Sequence, residues 1–208
     1  ALATQTTSSN NTAVGKEALT ANTTGGGNVA LGSEALKANT TASSNIAIGF
    51  QSLFANTTGA QNISIGYQAL DANNADNNTA IGHAALGANT TGTQNTAVGQ
   101  GALDANTTAD YNTAIGSNAL TTNTTGTENT AAGQGALSAN TTASYNTAVG
   151  RNALTANTTG GKNTAVGRVA LASNTTAENN TGVGYKALYA NSTGERNTAL
   201  GSSAGEAV

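Results

Sequence analysis

Apolar and polar positions recur along this chain with a period of 17 residues, shortened to 16 in the unit that begins at Asn62. The consensus reads N-T-A-[VI]-G-x-x-A-L-x-A-N-T-T-[GA]-x-x, and its first Asn is counted here as position 0. Such a repeat indicates structural units that stack on one another, because one short unit cannot bury an apolar face alone. The repeats begin at Asn11, Asn28, Asn45, Asn62, Asn78, Asn95, Asn112, Asn129, Asn146, Asn163, Asn180 and Asn197.

The apolar positions are few and regular. Position 3 is aliphatic in every unit except at Ala132, position 8 is Leu in the first eleven units, and positions 2 and 7 are nearly always Ala. We therefore expect two large apolar side chains per unit, at positions 3 and 8, to form the core. Their burial does not offset the conformational entropy of 17 ordered residues, so hydrogen bonds between units have to supply the remainder.

The short segment T-A-[VI] alternates residue types as a strand does, and the Gly at position 4 predicts a corner. We expect a second short strand through A-L-x-A, and a turn at N-T-T-[GA]-x-x in which Asn amides bond to the same Asn of the next unit. A strand followed by a helical turn is the alternative, since A-L-x-A contains helix formers.

These features predict an all-β fold, a parallel β-solenoid of about twelve 17-residue turns. Its expected parts are an N-terminal extension or joint at 1–10, eleven tandem repeats at 11–196, and a partial terminal repeat or cap at 197–208. Twelve units at about 4.8 Å each make a rod about 55–60 Å long.

Position 14 alternates strictly between Gly and Ala, from Gly25 and Ala42 to Gly194. Ala75 keeps this alternation if the deletion in its unit lies within the N-T-T loop. Duplication of an ancestral two-unit block explains the pattern, and so does a turn of 34 residues or two kinds of closing loop. Contacts between residues 17 or 34 positions apart separate these interpretations.

Charged and aromatic residues in the repeats fall at positions 5, 6 and 9 or in the closing loop. Aromatic residues at positions that also accept Lys, Asp and Gly are expected on the surface, where they are either scattered or form contact patches for a partner. The candidate contact aromatics are Phe50, Phe54, Tyr67, Tyr185 and Tyr189.

Composition limits the possible functions. Charged residues make up 8% of the 208 residues and the net charge is -3, a field too weak to attract nucleic acid. No apolar run is long enough to span a bilayer. Cys and Met are absent, which excludes disulfides. The A-L-A start at Ala1–Ala3 suits an exported surface protein, since removal of a signal peptide at a small-residue site would leave such a start.

No constellation of catalytic or metal-binding residues is apparent. His83 is the single histidine and occupies a variable position, and carboxylates do not recur at one position in adjacent units as a calcium-binding repeat requires. We therefore expect no enzyme, no cofactor and no metal site.

N-x-[ST] sequons recur at position 11, where glycosylation would coat one face with sugar. The other interpretation is a buried Asn ladder, whose amides could not be modified. Intact mass separates the two. The candidate residues are Asn22, Asn39, Asn56, Asn89, Asn106, Asn123, Asn140, Asn157, Asn174 and Asn191.

The motif N-T-A-[VI]-G-x-x-A-L, over Asn11 to Gly201, resembles the head repeats of YadA-type trimeric autotransporter adhesins and related phage tail-fibre repeats. In those, N-S-V-A-I-G-x-x-S recurs along a left-handed parallel β-roll. The resemblance implies a left-handed, trimeric solenoid at the cell surface or outside the cell. The period here is longer by a few residues, owing to the N-T-T-[GA] loop.

The expected function is an extracellular structural or adhesive fibre segment, a homo-oligomer that contacts a host surface or matrix, without nucleic acid or membrane insertion. One alternative is the subunit of a filament joined end to end. Another is an ice-binding solenoid, suggested by Thr at position 1 from Thr79 to Thr198. Because adjacent Thr residues in a strand face opposite ways, the loop pairs such as Thr23 and Thr24 make no double rank.

Overall fold

The computed structural model describes residues 7–206 and has one three-residue strand in every unit. The twelve strands form a single parallel sheet in sequential order. This confirms the predicted parallel β-solenoid. The strands are β1 Thr12–Val14, β2 Val29–Leu31, β3 Ile46–Ile48, β4 Ile63–Ile65, β5 Thr79–Ile81, β6 Thr96–Val98, β7 Thr113–Ile115, β8 Thr130–Ala132, β9 Thr147–Val149, β10 Thr164–Val166, β11 Thr181–Val183 and β12 Thr198–Leu200.

One turn of the solenoid, called a coil here, is one repeat. Thr96 pairs with Thr113 and Val98 with Ile115, each one unit along, and the same register holds at the other strand pairs. The interpretation of a 34-residue turn is therefore wrong. Of the predicted N-terminal extension, the start at Ala1–Ala3 lies outside the described residues. Residues 7–10 lie next to the first closing loop, where Gly27 N donates to Ser9 O over 3.0 Å.

The interior of the coil is lined by Ala and Leu. Position 2 is buried from β2 to β11, as at Ala97 and Ala114, and Ala102 and Leu103 at positions 7 and 8 are fully buried. The expectation that the position 3 aliphatics also belong to this core is wrong, because they point outward with position 1. Alternate strand residues face opposite sides, and Ala at position 2 takes the inner side.

The expected second strand is also wrong. Residues after the corner form turns with positive φ at positions 6 and 8, such as 56° at Asn118 and 51° at Leu120, which an extended strand does not contain. The described residues contain no helix either, so the helical-turn alternative fails. A left-handed conformation is costly for Leu, but Leu120 is fully buried and its N donates to Ala136 O over 3.0 Å.

Position 4 is the corner where the strand ends. Gly99 has φ +136°, and a Cβ there would lie 2.6 Å from the carbonyl carbon of Gly116 in the next coil. Only glycine combines this backbone conformation with such a close approach between coils.

Two columns of buried Asn run along the coils, which confirms the expected ladder. At position 0, Asn112 N donates to Asn95 Oδ1 over 2.9 Å, and Asn129 N donates to Asn112 Oδ1 over 3.0 Å. At position 11, Asn106 Nδ2 donates to Asn89 Oδ1 over 2.9 Å. Both columns also donate to the carbonyl at position 14, so most buried Asn amides of the interior are paired, although Asn56 Oδ1 and Asn174 Oδ1 accept no hydrogen bond.

The short unit keeps its place in the stack through one side chain. Asn74 Oδ1 accepts from the backbone N of Thr57 and Thr58 over 2.9 and 3.0 Å, where a Thr carbonyl accepts in longer units. The missing residue is therefore in the N-T-T loop, and Ala75 remains at position 14 above Gly59, as the alternation predicts.

Candidate functional site

The two outward positions of every strand form one long surface, called the strand face here. Its first rank is the row of position 1 residues and its second rank is the row of position 3 residues. Each rank runs from strand to strand along the parallel sheet. The most exposed large apolar residues of the strand face are Val14 57%, Leu31 46%, Ile63 37%, Ile81 37%, Ile115 47%, Val149 39%, Val166 36% and Leu200 79%.

No charged residue lies on the strand face. Position 1 carries Thr in nine units and Val29, Ile46 and Ile63 in the other three, while position 3 carries Val, Ile, Leu or Ala132. Aliphatic carbons and threonine methyl groups therefore cover an area about 50 Å long and 10 Å wide, on the order of 500 Å². A patch of that size is comparable to the largest apolar patch of a typical monomeric protein, which is often functional.

Side chains at positions 5, 6 and 9 form a second surface beyond the corner, called the variable face here. Lys37 Nζ lies 2.5 Å from Glu17 Oε2 and 3.6 Å from Glu34 Oε1, so positions 6 and 9 of neighbouring coils meet. The hydrogen bond from Lys37, together with its charge, lowers the pKa of Glu17, and Glu17 raises the pKa of Lys37. These exposed pairs add little to stability.

Three consecutive coils stack rings at position 5. The Phe50 and Tyr67 ring centroids are 5.4 Å apart, and those of Tyr67 and His83 are 5.3 Å apart. Phe50 thus stacks on a ring of the next coil. Phe54, four residues further along the chain, instead has the Lys37 Nζ 5.6 Å from its ring centroid. Most of the candidate aromatics are exposed, as the sequence pattern predicts, and Phe54 is half-buried.

The carboxylates next to this ring column are half-buried. Burial raises the pKa of Asp71, and it also raises that of Asp104, where the nearby His83 acts in the opposite direction. Asp71 Oδ1 is buried without a hydrogen-bond partner. Among residues 7–206, no three His, Cys, Asp or Glu side chains come together in a way that could hold a metal ion.

The sequon residues lie inside the coil rather than on a face. Asn22, Asn39, Asn56, Asn89, Asn106, Asn123, Asn140, Asn157 and Asn174 are 0% exposed and Asn191 is 3% exposed. Asn123 Nδ2, for example, donates both to Asn106 Oδ1 over 3.2 Å and to Gly126 O over 2.9 Å. This arrangement favours the ladder interpretation of the sequons, and intact mass remains its test.

Tyr185 and Tyr189 flank a cation on the variable face of the coil that begins at Asn180. Lys186 Nζ lies 5.8 Å from the Tyr185 ring centroid and 5.4 Å from that of Tyr189, and it pairs with Glu206 Oε1 at 2.8 Å. The hydrogen bond and charge of Glu206 raise the pKa of Lys186. The candidate aromatics therefore lie in two separate groups, one around Phe50, Phe54 and Tyr67 and one around these two tyrosines.

A comparison with protein-family models, with curated proteins and with solved structures finds no match. Within residues 7–206 there is no helix long and apolar enough to cross a membrane.

Position 3, one of the two ranks of the strand face, is the position that the sequence pattern assigned to the core. One signal distinguishes the two sides of the strand: position 2 is almost always Ala, whereas position 3 accepts Val, Leu, Ile and Ala132. Variation in size is tolerated where a side chain does not fill a closed interior.

Proposed function

We propose that this chain is a segment of an extracellular structural or adhesive fibre, in which copies associate through the strand face and present the variable face outward. The single observation behind the proposal is the apolar strand face, which extends over twelve parallel strands without a charge. Water contact with such a surface is unfavourable, and a second copy offers a surface of the same length and spacing.

The dimensions support association of identical chains. Two strand faces packed together bury about 1,000 Å² in all, close to the minimum for a specific interface, and a third chain around the same axis gives every chain two neighbours. A trimer also agrees with the resemblance to trimeric adhesin heads. Extracellular use is consistent with the absence of Cys and Met, the two side chains most easily oxidised.

The charge distribution also fits this arrangement. Lysines, arginines and carboxylates lie on the variable face and the closing loops, so association through the strand face buries no unpaired charge. The parallel, in-register sheet gives a stiff support whose variable positions differ from coil to coil. Attachment to a surface then depends on the variable face, without catalysis by this segment.

Sedimentation equilibrium of the wild-type chain and two double variants tests the proposal. Ile81→Glu with Ile115→Glu places charge on the strand face, where both side chains are exposed in a single chain. We expect three times the chain mass of 20.2 kDa for the wild type and a folded monomer for this variant.

The matched control adds the same charge to the variable face. Asn118→Glu with Asn152→Glu uses position 6, where Glu17 and Glu34 are native, and should leave the assembly intact. A wild-type chain that is monomeric at micromolar concentration would contradict the proposal. So would an assembly that survives the strand-face variant with a folded circular-dichroism spectrum.

A second candidate is ice binding, now supported by an observation that the sequence pattern did not supply. The Thr rank from Thr79 to Thr198 and the aliphatic rank at position 3 lie side by side on the strand face. Regularly spaced hydroxyl and methyl groups could order water as a lattice does. Ice binding requires a free strand face, so thermal hysteresis by the monomeric wild type would favour ice binding. Absence of thermal hysteresis in both the monomer and the assembly would exclude it.

A further inference from the structure

Positive charge is concentrated near one end of the solenoid. Five of the seven Lys and Arg residues lie between residues 151 and 196, although the whole chain has a net charge of -3. Three of the five occupy the variable face at positions 5 and 6, and we call them, with the two neighbouring tyrosines, the arginine patch. It consists of Arg151, Arg168, Tyr185, Lys186 and Tyr189.

The backbone stacks the coils that carry these residues, with Arg151, Arg168 and Tyr185 at position 5 and Lys186 at position 6. Val169 N donates to Arg151 O over 3.0 Å, and Lys186 N donates to Arg168 O over 3.2 Å, so the three cations lie in consecutive coils about 4.8 Å apart along the axis. The Arg168 guanidinium carbon is 5.7 Å from the Tyr185 ring centroid. The patch therefore combines fixed positive charges with exposed aromatic rings.

Both arginines lack an acidic neighbour on this face. Positions 5, 6 and 9 hold no Asp or Glu from Ser117 to Tyr189, and the ion pairs of the described residues include neither Arg151 nor Arg168. Arg151 Nε donates to the neutral Gln134 Oε1 over 3.1 Å. Cations in adjacent coils repel each other, and an anion that contacts both removes that cost.

We propose that the arginine patch binds an acidic polysaccharide, through sulfate or carboxylate groups on a sugar chain that runs along the solenoid axis. The planar guanidinium groups of Arg151 and Arg168 match such oxyanions in two-point hydrogen bonds. Tyr185 and Tyr189, which are 43% and 38% exposed, provide apolar surface for the C–H faces of the sugar rings.

The number of charges favours a polysaccharide over nucleic acid. Three cations, one of them paired with Glu206, are fewer than the six to ten or so phosphate contacts that give DNA-binding proteins their affinity. The proposal holds for a single chain and does not require association through the strand face. Its failure would therefore leave the fibre proposal in place, and the reverse is also true.

Binding to immobilised heparin, a sulfated polysaccharide, tests the patch. Arg151→Gln with Arg168→Gln removes both unpaired cations, and Gln is native at the same position in Gln100 and Gln134. The control, Lys162→Gln with Arg196→Gln, removes the same charge from the closing loops at position 16, where Gln61 and Gln94 are native. Neutral dextran is the uncharged probe, and a single-stranded oligonucleotide is the alternative polyanion.

We expect the patch variant to lose about tenfold or more in heparin affinity, while the loop control stays close to wild type. Tyr185→Ser, which places the residue found at Ser117 and Ser202, should also weaken binding although the charge is unchanged. The proposal is overturned if the wild type does not bind heparin, if the loop control loses as much as the patch variant, or if dextran binds equally well. Equal affinity for the oligonucleotide would overturn the assignment to a polysaccharide.

Discussion

Asn39 Nδ2 donates to Asn22 Oδ1 over 2.9 Å, which joins two consecutive coils through side chains that are both fully buried. The same nitrogen also donates to Ala42 O over 3.1 Å, within its own coil. In most coils the Asn at position 11 thus fixes its own closing loop and holds the coil before it, and the column is interrupted where Asn56 Oδ1 and Asn174 Oδ1 accept no hydrogen bond. The column replaces the apolar contacts that so narrow an interior cannot provide.

Removing one member of the column should therefore destabilise the fold. In Asn106→Ala, Asn123 Nδ2 and Asn89 Oδ1 each lose a partner within the interior. We expect a loss of about 2–4 kcal/mol in the free energy of unfolding, measured by urea titration. The control Asn118→Ala changes an exposed Asn at position 6, where Ala84 is native, and should cost about 1 kcal/mol or less.

The alternation at position 14 predicts that adding a methyl group in a Gly coil costs more stability than removing one in an Ala coil. A Cβ on Gly126 would lie 2.6 Å from Asn123 Oδ1 and would overlap Ala143 O in the next coil. Gly126→Ala should therefore cost about 3 kcal/mol or more, although Ala is native at this position in alternate coils. Ala143→Gly, the reverse change, should cost only about 1 kcal/mol. Equal unfolding midpoints for the two variants would show that ancestry alone produces the alternation.

The two large apolar positions should differ in their contribution to stability. Leu103 is fully buried, so Leu103→Ala should cost about 2–5 kcal/mol in urea unfolding. Val149 is 39% exposed, and Val149→Ala should cost less than about 1 kcal/mol in the monomeric background of Ile81→Glu with Ile115→Glu. A large effect of Val149→Ala in that monomer would contradict the outward orientation of position 3.

The half-buried carboxyl of Asp71 should make stability depend on pH. Burial raises its pKa above the ordinary 3.8, so the folded chain holds this proton more tightly than the unfolded chain does. Its contribution to stability therefore falls as the pH rises from about 3.8 through the raised pKa. At pH values above the raised pKa, the half-buried charge lowers stability by a constant amount.

Asp71→Asn should remove that cost. We expect a gain of roughly a few tenths of a kcal/mol at neutral pH and none below pH 3.8, since solvent screens a partly exposed group. Asp110→Asn is the control, because an amide oxygen can still accept from Thr93 N as Asp110 Oδ1 does over 2.6 Å. Thermal unfolding of both variants across this pH range measures the effect. A loss of stability in Asp71→Asn at neutral pH, instead of the expected gain, would show that desolvation is not the cause.

The repeat alone predicts the architecture, because a period of 17 with Gly at every corner and Asn in the turn has few solutions other than a stacked coil. It does not predict which side of the strand is inside. Large aliphatics are usually buried, but here Ala97 and Leu103 already fill the interior, and Val98 is left on the outside. The turn after the corner is missed for a related reason, since Leu rarely adopts the positive φ seen at Leu103.

The candidate functional surfaces can likewise be predicted only in part from the sequence. The exposure of Tyr67 and Tyr185 follows from the charged residues found at the same repeat positions. Their neighbours cannot be predicted in that way, because the stacking of Tyr67 on Phe50 and of Arg168 over Tyr185 joins residues one coil apart. Once the register of the coils is known, those columns can be identified directly from the sequence.

The ladder of backbone bonds also has a mechanical consequence. The bonds between coils, such as Thr113 N to Asn129 O at 2.8 Å, point along the rod axis. A load applied to the two ends therefore opens them one coil after another rather than all at once. Each coil that opens frees 17 residues and adds about 50–55 Å of length, so a taut fibre of this kind yields in equal steps and dissipates work before it breaks.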